Sequence, residues 1–351
     1  MINLMNDYNS PGHPAILKAV TGAANEKFPG YGTDGVCREA KDKIKALLKA
    51  GDRAEVHFLV GGTQANVTAI GAFLRPHEAV IAPDNAHINV HETGAIEASG
   101  HKILLAQANA DNGPAGMGKL TADGIRAICL SHTDEHMVKP RLVYISQSTE
   151  LGGVYTLSEL KGLRRVCDEY GLLLYLDGAR LSAALASRQN DAQLPDIASL
   201  CDAFYIGGTK NGLLFGEALV IMNESLKSDF RFLQKQRGGL LAKGFLLGLQ
   251  FDALFTDGLF FDIAGHACKM ADKLRSGLEG LGCGFFVNSA TNQLFPIFPN
   301  HVIKKLAGGF LFEKWAAVDG SRSAIRFVTS WNTTNGEIDE LLAKCALYMA
   351  D

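Results

Sequence analysis

The sequence predicts an α/β fold: a mostly parallel central sheet flanked by helices, followed by a smaller C-terminal α+β domain. Three observations carry that prediction. Short apolar runs alternate with helical stretches from about residue 55 to 222, the pattern of parallel strands joined by crossover helices. Two of these runs, Leu172–Leu176 and Phe204–Ile206, read as buried strands. From Asp229 the pattern turns helical, and beyond about residue 255 strands and helices regroup into a separate unit. The predicted organisation is an N-terminal arm over 1–14, a large domain over 15–255 and a small one over 256–351.

Composition narrows the function classes. With 351 residues, 47% of them hydrophobic, the chain buries a sizeable core without difficulty. A net charge of −3 gives no nucleic-acid footprint, and no run of like charges marks a tail or a membrane-surface patch. Seven scattered Cys with no CxxC pair read as buried small apolar residues in a reducing compartment, so a cytoplasmic location is expected. The stretch Met1–Asp7 has no basic region or apolar run, so no signal peptide is expected. No 18-residue apolar stretch offers a membrane span.

Taken in order, Asn6–Pro14 is rich in turn formers, and a helix starts near Ala15. Gly30–Gly35 is a glycine-rich loop, and Val36–Ala50 reads as an amphipathic helix ending at Gly51. Glu55–Val60 alternates like a strand, and Val67–Leu74 is helical. Ala79–Ala82 is the next strand, Val90–Ser99 a helix, and Lys102–Leu105 a strand. Asn109–Lys119 is a polar surface loop, and Thr121–Leu130 a helix. Ser131–His136 carries two His, but its spacing matches no zinc pattern and it reads as a solvated connector; no metal site is expected. Arg141–Ile145 is a strand, and Ser158 reads as the N-cap of the following helix. Ala218–Met222 is a strand and Phe260–Leu281 one long helix. Phe285–Val287, Gln293–Ile297 and Ala324–Thr329 read as strands, and Val302–Leu306 and Glu337–Ala350 as helices.

The chemistry concentrates at strand ends. Asp177 sits at the carboxyl end of Leu172–Leu176, where open α/β sheets place ligands. Lys210 lies just past the Phe204–Ile206 strand. A buried carboxylate and a lysine on neighbouring strand ends are what pyridoxal phosphate needs: an amine for its aldehyde, and an acid that keeps its pyridine nitrogen protonated. On spacing alone, a structural salt bridge and a surface lysine remain open to this pair, because strand-end Asp and Lys are common in any α/β enzyme. Strand, then Gly61-Gly62-Thr63-Gln64, then a helix amino terminus is either an ordinary turn capping a helix or a cradle for a phosphate; neither a dinucleotide fingerprint nor a P-loop is present. His87, at another strand end, is either structural or a group that stacks on a flat cofactor ring. Arg237 and Lys243 flank a glycine pair, as a helix break with solvated charges or as a phosphate clamp usable by a neighbouring subunit. Arg326 stands in an otherwise apolar strand and needs a partner, which is either a bound carboxylate or an internal acid.

With these residues in hand, the chain resembles the threonine aldolase family of fold type I pyridoxal phosphate enzymes, and its low-specificity L-threonine aldolase branch in particular. The likeness runs from Asp7–Pro14 to Arg326–Trp331, and is most specific at Leu176–Leu181, Thr209-Lys210-Asn211, Ser146–Glu150 and Arg237–Lys243. The resemblance implies that Lys210 binds the cofactor aldehyde, Asp177 its pyridine nitrogen, and that His87 stacks on its ring. It implies that Gly62, Thr63 and Gln64 hold the phosphate, with Arg237 and Lys243 reaching in from a second subunit, and Thr209 and Arg180 also in the cofactor set. Ser10, Arg180 and Arg326 would bind the substrate carboxylate, and Tyr31 would come from the partner subunit. Where many threonine aldolases carry Asn-Thr-His, this chain has Ser148-Thr149-Glu150. Where they carry Gly-Gly-Gly-Met-Arg-Gln, it has Arg237–Ala242.

The implied reaction is the reversible cleavage of a β-hydroxy-α-amino acid, such as threonine or allo-threonine, to glycine and an aldehyde. The general base is His87, Glu150 or an ordered water. A related β-eliminating lyase, an aminotransferase and a non-catalytic cofactor-binding protein are the alternatives. A site shared between subunits implies at least a homodimer, and fold-level analogy a tetramer. The expected partner is a small amino acid, with no nucleic acid and no membrane.

Overall fold

The structure, a computed structural model, describes residues 1–106 and 117–350. The expected loop over 109–119 therefore lies mostly outside the described residues.

The chain opens on a two-residue strand, β1 (Ile2–Asn3). Seven strands then build the central sheet: β2 (Glu55–Leu59), β3 (Glu78–Pro83), β4 (Ile103–Ala106), β5 (Lys139–Ser146), β6 (Leu173–Asp177), β7 (Ala203–Gly207) and β8 (Glu217–Ile221). Their spatial order is β2-β8-β7-β6-β5-β3-β4. β3 to β7 pair in parallel where they are neighbours, and β8 runs antiparallel to both β2 and β7. Parallel neighbours need crossover connections, and the helices that supply them cover both faces of the sheet. Every residue of β3, β6, β7 and β8 is buried. Leu174 and Leu176 of β6 enter the core on one face, and Leu173 and Tyr175 the core on the other. That two-sided burial is why these strands read as continuous apolar runs.

Several boundaries differ from expectation, each for a local reason. β2 does not alternate between core and solvent: its His57 is buried, with Nε2 2.9 Å from Glu55 and its ring 4.6 Å from Phe230. The helix expected from Val67 begins at Gly62 and runs to Phe73. The helix expected over 90–99 is two short ones, His87–Val90 and Ala95–Ala98, broken where Thr93 and Gly94 take positive φ. The helix Gly35–Leu47 stops short of Ala50, and Lys49 and Gly51 turn the chain with positive φ. Thr156, not Ser158, caps the helix Leu157–Tyr170, through a reciprocal box with Glu159.

The C-terminal strands are β9 (Gln293–Leu294), β10 (Ile297–Pro299), β11 (Phe310–Leu311), β12 (Glu313–Ala317) and β13 (Arg322–Val328). β13 pairs antiparallel with β10, β12 and β9. The strand expected over 293–297 is thus two pieces, split at Pro296, which has no N–H to give a ladder. The one expected over 285–287 reduces to a single bridge, Phe285 to Pro296. The pairing of β11 with β1 carries the amino terminus into this unit, where Leu4 is buried. The helix Leu259–Gly280 joins the two parts: Phe260 and Ile263 pack in the core of the large sheet, and Met270, Leu274 and Leu278 in that of the C-terminal unit. Among the described residues, no helix is long and apolar enough to cross a membrane.

Candidate active site

The carboxyl ends of β6 and β7 lie side by side, with Tyr175 and Leu176 in register with Ala203 and Phe204. Just beyond them the two chains touch. Gly207 N–H donates to the Gly178 carbonyl at 2.9 Å. A Cβ on Gly178 would collide with the Tyr205 carbonyl, and one on Gly207 would lie 2.8 Å from the Gly178 carbonyl. Glycine at both places lets Asp177 and Lys210 emerge into one cavity of about 310 Å³.

Asp177 is buried and accepts four hydrogen bonds. Tyr144 O–H reaches Oδ2 at 2.6 Å and Asn66 Nδ2 reaches it at 3.0 Å. Tyr205 O–H and the Ala179 N–H, at 3.0 Å, reach Oδ1. Burial raises its pKa, but the bonds from Tyr144 and Tyr205, the His87 charge and Asn66 outweigh that and hold it below the usual carboxylate value. Burial keeps both tyrosines protonated, so they remain donors.

Lys210 stands in the single turn Thr209–Asn211 that follows β7, and makes no hydrogen bond or ion pair among the described residues. Burial and the Arg180 charge lower its pKa against the pull of Asp7, Asp177 and Glu217. The shift is in the direction of the neutral, nucleophilic amine. Glu217 of β8 lies in the same cavity, accepting from Thr209 Oγ1 at 2.9 Å and Gly208 N–H at 3.1 Å. Burial pushes its carboxyl up to about 8, despite Thr209, Lys210 and Gly208.

The helix Gly62–Phe73 points its amino terminus at the cavity, and Gly61, Gly62 and Thr63 line the wall. No side chain caps that terminus, so its first amides remain available to an anion. Gln64 does not line the cavity; its Oε1 accepts from Val60 N–H at 3.2 Å.

His87 and Glu150 form another wall. Glu150 Oε1 accepts from Ser146 Oγ at 2.9 Å and from the His87 N–H at 3.0 Å, while Oε2 is buried with no partner. Burial and the nearby Asp177 charge raise the Glu150 pKa. Arg180 also lines the cavity, held in a bidentate pair by Asp7 at 2.7 and 3.0 Å, with Asn292 donating to Asp7 at 3.0 Å. Burial works against the Asp7 carboxylate, but Arg180 and Lys210 keep its pKa low.

The structure thus brings together Lys210, Asp177, His87, Glu150, Thr209 and Arg180 with Gly62 and Thr63. It does not bring the other expected residues to this chain's cavity. Ser10 bonds Asn332, and Arg326 pairs with Glu313 and faces the Trp315 ring at 5.3 Å. Tyr31 is half-exposed at φ 61°, with Lys235 4.6 Å above its ring. Arg237 packs against Gly71, and Lys243 is exposed. Sequence reasoning missed Tyr144, Tyr205, Asn66, Glu92, Asp7 and Glu217. The tyrosines sit inside apolar runs, where alternation alone does not mark a polar role, and Asn66 follows the glycine-rich turn before a helix. Glu217 opens its strand, and Asp7 sits among turn formers.

This set fits pyridoxal phosphate. A lysine amine without a partner, an ionised carboxylate ringed by donors, an uncapped helix terminus and a partnerless carboxylate oxygen on Glu150 share one cavity. Among the described residues, no cluster of His, Cys, Asp or Glu could hold a metal ion.

Comparison with known proteins agrees. A family model described as beta-eliminating lyase matches residues 3–299. The chain is 33% identical over 349 residues to a low specificity L-threonine aldolase of Pseudomonas sp. (strain NCIMB 10558), covering 96% of this chain and 95% of that protein. A solved threonine aldolase of Leishmania major is 45% identical, with a TM-score of 0.95 and 98% of both chains covered. An aspartate aminotransferase of Thermus thermophilus shares the fold at 16% identity and a TM-score of 0.70, over 99% of this chain and 91% of that one.

Proposed function

The chain belongs to the β-eliminating lyase family of fold type I pyridoxal phosphate enzymes, and from that premise we infer that it is a threonine aldolase. It cleaves β-hydroxy-α-amino acids such as threonine and allo-threonine to glycine and an aldehyde. The observation that carries this reading is a lysine amine with no partner and an ionised aspartate in one cavity.

When bound, pyridoxal phosphate supplies the electron sink for the pair released as the Cα–Cβ bond breaks. In our reading Lys210 offers the amine that takes its aldehyde, and Asp177 keeps its ring nitrogen protonated. The amides of Gly62 and Thr63 and the Thr209 hydroxyl hold its phosphate, and Gln64 supports the turn that aims those amides. His87 covers the ring. Arg180 takes the substrate carboxylate with the guanidinium nitrogen left free by Asp7, which fixes the substrate's orientation and so which bond breaks. Arg326 and Ser10 join that contact only if Glu313 and Asn332 release them. Glu150, with a raised pKa and a free oxygen, and His87 are the two residues able to take the proton of the β-hydroxyl.

We further infer a homodimer in which Arg237, Lys243 and Tyr31 serve the neighbouring subunit's cavity, dimers pairing into a tetramer, and a cytoplasmic location. The division into an arm over 1–14, a large domain over 15–255 and a small one over 256–351 is part of the same proposal.

Lys210→Ala tests the assignment. The variant is expected to lose threonine cleavage, measured as acetaldehyde release, together with the visible absorbance of the bound cofactor. Retention of both overturns the assignment, and release of ammonia with 2-oxobutanoate instead of acetaldehyde from threonine by the native enzyme overturns the aldolase reading.

A further inference from the structure

The cavity's histidine is held from behind by a buried acid. Glu92 lies in the turn between the helices His87–Val90 and Ala95–Ala98, with its side chain fully buried. Its Oε1 is 2.7 Å from His87 Nδ1 and accepts from Asn66 Nδ2 at 2.8 Å. Its Oε2 is buried without a partner. The same Asn66 amide gives a hydrogen bond to Asp177 Oδ2 at 3.0 Å, while its carbonyl accepts from Tyr175 O–H at 3.2 Å. Both amide hydrogens are therefore committed to carboxylates and the amide cannot be turned over, so Asn66 seats Glu92 and Asp177 together.

A carboxylate only accepts, so the contact at 2.7 Å places a hydrogen on His87 Nδ1. The neutral ring then carries its lone pair on Nε2, which has no partner among the described residues. We propose that Glu92, seated by Asn66, is the positioning residue that fixes His87 as its Nδ1–H tautomer and makes Nε2 the ring's proton acceptor in the cavity. The tautomer stands on its own geometry; its consequence for catalysis rests on the reading of His87 given above.

The charged and titratable groups around His87 are Glu92 and His91, the latter with its ring 5.4 Å away, Glu150 at the backbone N–H, and Asp177 and Lys210 across the cavity. Burial disfavours the protonated ring, but the Glu92 hydrogen bond and the charges of Asp177 and Glu92 outweigh it, and the pKa of His87 lies above its ordinary value.

Nitrogen-15 histidine NMR on the cofactor-free protein, with His87→Asn to assign the ring, tests the proposal. The native protein is expected to show the Nδ1–H tautomer once the ring is neutral. In Glu92→Gln, which keeps an acceptor but removes the charge, the titration midpoint is expected to fall by about one unit or more. In the loaded enzyme the same change is expected to lower kcat about tenfold with little change in KM, and to move the acidic limb of the pH profile down with the midpoint. A native Nε2–H tautomer, or an unmoved midpoint in Glu92→Gln, overturns the proposal. If that variant does not fold, the native tautomer decides alone. A shifted midpoint with unchanged kcat upholds Glu92 as the positioning residue and instead sinks the catalytic reading of His87.

Discussion

Asp177 shows how much one side chain depends on its donors. A carboxylate with no water around it is costly, and in this cavity two tyrosines, an asparagine and a backbone amide replace the water. The sign of the resulting pH dependence follows from the lowered pKa. A carboxyl that titrates lower in the folded chain adds stability that is present above its unfolded value, about 3.9, and lost as pH falls through its folded value. Tyr144→Phe removes one donor, so the folded pKa rises toward the unfolded one. The variant is expected to lose about 1.5–3 kcal/mol at neutral pH, the worth of a hydrogen bond to a charged group. Its acid unfolding midpoint should also move to higher pH. Acid titration followed by circular dichroism measures both, and an unmoved midpoint would show that the other donors suffice.

At the scale of elements, the sequence is legible where packing is simple. Buried strands such as β6 and β7 are continuous apolar runs, and the ends that bear Asp177 and Lys210 follow directly. What periodicity misses is set by contacts distant in sequence. His57 looks like the polar half of an alternating strand, yet Phe230 and Glu55 enclose it. The start of the helix Gly62–Phe73 hides in glycines that read as loop, although the uncapped amides of that first turn are the ones our proposal assigns to the phosphate. The motif Leu176–Leu181 is legible as a site, but the reason for its glycine is not, because the obstacle is the carbonyl of Tyr205 on another strand. Gly178→Ala is therefore expected to force β6 and β7 apart at their carboxyl ends. The cost should be at least about 1–3 kcal/mol, the range for overpacking a filled core, together with loss of cofactor binding. Urea unfolding and cofactor titration check it, and a variant with native stability and affinity would mean that the strand ends yield freely.

Across the whole molecule, the site gathers distant parts of the chain. Asp7 near the amino terminus, Arg180 beyond the central sheet and Asn292 of the C-terminal unit meet in one hydrogen-bonded group at the cavity edge. Arg237 points to a further contributor. Its guanidinium packs on Gly71, its Nε is buried without a partner, and it does not line its own chain's cavity. One turn earlier Phe232 is 77% exposed, and Lys235 covers the half-exposed Tyr31. An exposed phenylalanine beside cations that serve no internal site is what a subunit interface would cover. If Arg237 serves a neighbouring cavity, two inactive variants can repair each other. In a dimer formed from one Lys210→Ala and one Arg237→Ala chain, one site lacks both groups and the other has both. Random reassortment after unfolding and refolding makes half the dimers hybrids, so mixing is expected to restore about a quarter of native acetaldehyde release. Each variant refolded alone should remain near its own low level. A mixture no more active than the average of its parents would assign Arg237 to its own chain and remove the shared site from the proposal.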